Sequence, residues 1–115
     1  MQIQDILYEV SEGIATLTLN RPDARNAYSE EMIDSIVHIL DVAEEDDEVR
    51  CLIITGAGGA FSAGGDIKLM VDHEGMFEGA PVRLRSRYKR GIQRIPRRLA
   101  RFEKPVIAAI NGPAV

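Results

Sequence analysis

At 115 residues the chain has the length of one domain or of a piece of one. Its 45% hydrophobic and 28% charged residues are ordinary for a globular protein, and no apolar run is long enough to cross a bilayer, which argues against a membrane-spanning role. The net charge is only −4, but it is unevenly spread: residues 1–82 carry 17 acidic and 4 basic side chains, residues 83–115 carry 10 basic and one acidic, so the two parts should attract.

The first residues, MQIQDILYEV, have neither the basic and apolar pattern of a signal peptide nor the Arg-rich character of a transit peptide. Together with a single cysteine, Cys51, this suits a reducing cytoplasm. Residues 3–10 and 14–19 alternate as strands do, with Glu12-Gly13 as the hairpin turn between them. In the second strand Ala15, Leu17 and Leu19 share one face. Arg21-Pro22-Asp23 ends it, and Asn20 and Asn26 suit turns closed by side-chain to backbone hydrogen bonds.

Ser29 is placed to cap a helix, and Glu30 and Glu31 complement its dipole. Met32, Ile33, Ile36, Val37, Leu40 and Ala43 recur at helical spacing as its core face. The acidic run at residues 44–48 reads as a solvated corner, because contiguous acids rarely converge on one metal ion. Residues 51–55 (CLIIT) read as a strand buried on both faces, with Cys51 as a core residue. The glycine-rich turn that follows, through Gly65, leads into a helix beginning at Asp66.

That turn is the chemical centre of the sequence. It lacks the Lys and Ser/Thr of a P-loop, with Gly65 and Asp66 standing after Gly64, and the dinucleotide fingerprint would need glycine where Phe61 stands. Residues 60–64 approach a nucleophile elbow around Ser62, but the first glycine is alanine and only His38 and His73 are available as base. What remains is a set of backbone donors aimed at a developing negative charge, or a plain glycine-rich connection.

Beyond it, residues 67–71 are expected to form a short helix and residues 72–81 read as a loop, where the adjacent His73 and Glu74 read more simply as solvent-facing than as acid/base groups. Residues 82–102 step apolar side chains by threes and fours, with Pro96 kinking the helix or restarting it in a first turn. Their Arg-rich face allows a second class of function, RNA binding through residues 83–101, though little aromatic stacking surface accompanies it. Residues 106–110 form a second buried strand that turns out at Asn111-Gly112-Pro113.

Three segments, LNRPDARNA (19–27), GAFSAGGDIK (59–68) and KPVIAAINGPAV (104–115), together resemble the enoyl-CoA hydratase/isomerase, or crotonase, superfamily. The resemblance implies an α/β fold of repeated ββα turns, of which residues 1–115 are the N-terminal part without the C-terminal catalytic part. It implies an acyl-coenzyme A thioester as substrate, no metal, no separate cofactor since coenzyme A arrives with the substrate, and a homotrimer or hexamer. Carried over, Ala63 supplies the first oxyanion N–H. Gly65, Asp66 and Ile67 line the acyl pocket with it, and Arg25 and Ala27 meet the coenzyme A portion. The second donor is expected just after Val115, and the acid/base carboxylates further on, so this chain alone should be inactive. Hydration of a 2-enoyl thioester is the first reading of the reaction. Double-bond isomerisation, or another acyl-CoA lyase or hydrolase reaction, is the alternative.

Overall fold

The computed structural model describes residues 2–65 and 91–115. Strands β1 (Ile6–Ser11) and β2 (Ile14–Leu19) pair antiparallel from Ile6 opposite Leu19 to Ser11 opposite Ile14. Glu12 and Gly13 both take positive φ (52° and 83°), the geometry a two-residue hairpin turn needs. Helix α1 (Glu30–Glu45) then returns the chain so that β3 (Cys51–Gly56) lies parallel to β2. After helix α2 (Arg94–Ala100), β4 (Val106–Ala109) lies parallel to β3, giving sheet order β1-β2-β3-β4. Three parallel strands therefore end on the same side, and their outgoing loops, residues 20–28, 57–65 and 110–115, gather there.

The core lies between one face of the sheet and the helices. Ala15, Leu17, Leu19 and Leu52 meet Met32, Ile33, Ile36, Ile39, Leu40 and Ala43 of α1, with Ile95 of α2 joining them. The helical stripe includes Ile39, which the spacing did not single out, while Val37 is only half-buried. Ser29 caps α1, its hydroxyl accepting the Met32 N–H at 3.1 Å and donating to Asp5 at 2.9 Å. Pro96 falls in the first turn of α2, a position that its missing N–H allows.

Two expectations need correction. In β3 only Leu52 is fully buried, the remaining residues, Cys51 among them, being half-buried; β4 is exposed along its whole length. Continuous apolar sequence gave no sign of this, because it records what a strand is suited to bury and not whether a second layer lies over it. The acidic run is also more than a solvated corner. Glu44 accepts from Arg98 and from the Glu103 N–H, and Lys104 Nζ donates to the carbonyls of Ala43 and Asp46 at the end of α1. Arg98, 8% exposed, also donates to Asp41 at 2.8 Å, and Arg94 pairs with Asp34. The attraction expected between acidic and basic parts thus takes the form of a docked helix pair.

Candidate active site

The loop after β2 enters a short 3-10 turn, Pro22–Ala24, and leaves it through two left-handed residues, Arg25 and Asn26. Asparagine tolerates that backbone better than most residues, and here it is fully buried. Its side-chain Oδ1 accepts the Arg21 N–H at 2.8 Å, and its Nδ2 donates to the carbonyls of Ala57 (3.0 Å) and Ala60 (2.9 Å). Asn111, after β4, does the same from the other side. Its Oδ1 accepts the Gly56 N–H, and its Nδ2 donates to the carbonyls of Gly58 and Ala60, all at 3.1 Å. Turn chemistry at Asn26 was legible in the sequence; that both asparagines reach the same carbonyl was not.

Residues 62–65 run between the other two loops. Ser62 pairs in parallel with Ala114, and Gly65 with Tyr28. The Ser62 N–H donates to Pro113 O, and the Val115 N–H to Ser62 O at 2.9 Å. Close approach here excludes side chains: a Cβ on Gly112 would run into the Gly59 carbonyl. The Ser62 hydroxyl donates to Asn26 O and accepts the Gly64 N–H, so it is a structural pin and not a nucleophile.

The Ala63 N–H, expected to be the free donor, instead donates to the Arg25 carbonyl at 2.9 Å. The reason is local. The Ser62–Ala63 peptide turns its carbonyl toward Val115, and a trans peptide must then send its N–H the opposite way, toward the Arg25 loop. Gly64 has φ +79°, and after it the order is reversed: the Gly64 carbonyl accepts the Tyr28 N–H at 2.8 Å. The Gly65 N–H therefore points away from Tyr28, and it has no acceptor among the described residues. Gly65 is the open donor of this bend, two residues beyond the one the sequence suggested.

A cleft of about 570 Å³ opens between the three loops, lined by Pro22, Arg25, Gly59, Ala60, Ser62, Ala63, Pro113 and Val115. Arg25 and Ala63 both line it, Ala63 with its surface and not its N–H, whereas Gly65, expected to line the pocket with Ala63, is not among the lining residues. Ala27 is buried and does not line the cleft; its carbonyl accepts from Arg21 Nη1. Asp66, Ile67, His73 and Glu74, with the helices and loop expected over residues 66–90, lie outside the described residues. Of the described arginines that the sequence offered for RNA binding, Arg94 and Arg98 are engaged by α1 carboxylates. Among the described residues there is no cluster able to hold a metal ion, and no helix long and apolar enough to cross a membrane.

A family model described as enoyl-CoA hydratase/isomerase matches residues 9–115. The chain belongs to that family. Among enoyl-CoA hydratase/isomerase relatives, 1,2-epoxyphenylacetyl-CoA isomerase of Escherichia coli (strain K12) is 41% identical over 95% of this chain and 40% of its own length. Enoyl-CoA hydratase EchA19 of Mycobacterium tuberculosis is 39% identical over 96% of this chain and 40% of its own. The crystal structure of an enoyl-CoA hydratase/isomerase from Xanthobacter autotrophicus Py2 is similar with a TM-score of 0.77 and 38% identity, covering 97% of this chain and 40% of that one. The fold is accordingly the N-terminal part of the crotonase fold, and the chain spans about two fifths of the length of the curated relatives it matches.

Proposed function

We propose that the protein to which these residues belong takes an acyl-coenzyme A thioester along the cleft between residues 22–25, 59–63 and 113–115 and holds its carbonyl oxygen beside that cleft on peptide N–H groups. The single observation that carries the reading is the Gly65 N–H, turned by Gly64 away from Tyr28 and without an acceptor among the described residues. A second donor follows Val115 on the segment that Ser62 pairs with. Arg25, exposed at the cleft, faces the phosphates of coenzyme A. No separate cofactor enters, and the oligomer is a trimer or hexamer.

Polarising the thioester draws electron density from the conjugated double bond onto the carbonyl oxygen. Water adds at C3, giving an enolate that the two amides stabilise, and a proton delivered to C2 completes the 3-hydroxyacyl thioester. Moving a proton from C4 to C2 through a dienolate would use the same amides to shift the double bond, and the trans-2-decenoyl-[acyl-carrier-protein] isomerase of Streptococcus mutans among the relatives supports this second reading as much as EchA19 supports hydration.

Calorimetric titration of the full-length protein with a 2-enoyl-coenzyme A should give saturable binding, and its absence would remove the whole class. Mass spectrometry of the product then separates the reactions. Hydration adds one water, whereas isomerisation leaves the mass unchanged.

A further inference from the structure

Asn26 and Asn111 stand 85 positions apart yet make matching contacts. Each accepts one backbone N–H on its Oδ1, from Arg21 or Gly56, and donates its Nδ2 to two backbone carbonyls. They share the Ala60 carbonyl, which takes Nδ2 of Asn26 at 2.9 Å and Nδ2 of Asn111 at 3.1 Å. That oxygen thereby joins the loops after β2, β3 and β4 at one atom, two residues before the Ser62–Ala114 pairing. Only a carboxamide supplies both halves of this pattern. An aspartate would still accept, but it would set a carboxylate oxygen against two carbonyls.

Resting on the acyl-thioester reading above, the geometry points to Asn26 and Asn111 as positioning residues, a paired brace on Ala60 that sets the spacing between the Gly65 N–H and the segment beyond Pro113. Neither touches substrate. Their effect passes through residues 60–65, which carry the Gly65 N–H, and through the segment beyond Pro113; the two donors must lie within hydrogen-bond reach of one oxygen. A displacement of about 1 Å in such an arrangement costs roughly 100-fold in rate.

The test uses the full-length protein, the variants Asn26→Asp and Asn111→Asp, and an aryl-acryloyl-coenzyme A probe whose absorption band moves to longer wavelength when its carbonyl is polarised. With the brace broken, the probe should still bind with little change in Kd, while its wavelength shift shrinks and kcat falls by about 100-fold. Asn111 is exposed among the described residues, so Asn111→Asp serves if Asn26→Asp does not fold. Variants that lose thermal stability but keep the wild-type shift and kcat would overturn the inference and leave only a structural role. Failure of the wild-type protein to bind or shift the probe would instead overturn the acyl-thioester reading itself.

Discussion

The N–H groups of Ala63 and Gly65 lie two residues apart on one short segment, the first bonded to Arg25 O and the second without an acceptor among the described residues, so each can be removed against the other as control. Replacing the Gly65 peptide N–H in the full-length protein by an ester oxygen deletes a donor without adding bulk. Turnover should fall by about 100- to 1,000-fold, the loss that accompanies removal of one oxyanion donor. The same replacement at Ala63 removes its bond to the Arg25 carbonyl and should cost about 1 kcal/mol in urea denaturation with turnover largely kept. The reverse outcome, turnover lost at Ala63 and kept at Gly65, would return the donor to the residue the sequence suggested. The sequence pointed to the bend that carries the open N–H, because a run of glycines after an apolar strand marks backbone available to a ligand. It did not show which amide there is left open, since that depends on the sign of φ at Gly64 and on a carbonyl 38 residues before Ala63.

At the scale of elements, periodicity carried most of the information. The register of β2, the span and cap of α1 and the place of Pro96 in a first helical turn were all legible, each depending on local spacing and local chemistry. Ser29→Ala should lower stability by about 1 kcal/mol by freeing the Met32 N–H, and the change is read as a shift of the urea midpoint. How α2 docks was legible only as a charge imbalance. Its detail lies in the hydrogen bond from Arg98, followed by that from the Glu103 N–H, which hold the Glu44 carboxyl below the ordinary value of 4.5. A carboxyl whose pKa is lower folded than unfolded contributes stability that is present above 4.5 and is lost as pH falls through the folded value. The urea midpoint of the wild-type chain should therefore drop as pH goes below 4.5, and Glu44→Gln should flatten that part of the profile while lowering the midpoint at neutral pH. A Gln variant with an unchanged profile would show that Arg98 is held by Asp41 alone.

For the whole molecule, the decisive feature is an apolar sheet with cover on one face only among the described residues. Beyond the helices' side lie Leu7 (54% exposed), Ile14 (41%) and Ile107 (55%), and Ile110 follows at the end of β4 with 63% exposure. Strand β4 is hydrogen-bonded to β3 along one edge, and no described strand takes the other. Natural sheets blunt such an edge with charge, yet residues 106–110 carry none. The reading of β4 as a buried strand does not hold among the described residues, and the relatives, of whose length this chain spans about two fifths, have room for a covering layer. Expressed by itself, the 115-residue chain should scatter light in a concentration-dependent way and bind an apolar dye. Ile107→Lys should suppress both, because it places a charge on the uncovered face of the edge strand. The full-length protein should do neither. Equal dye binding by the two would mean that the face stays open in the complete fold, and the layer argument would fail with it.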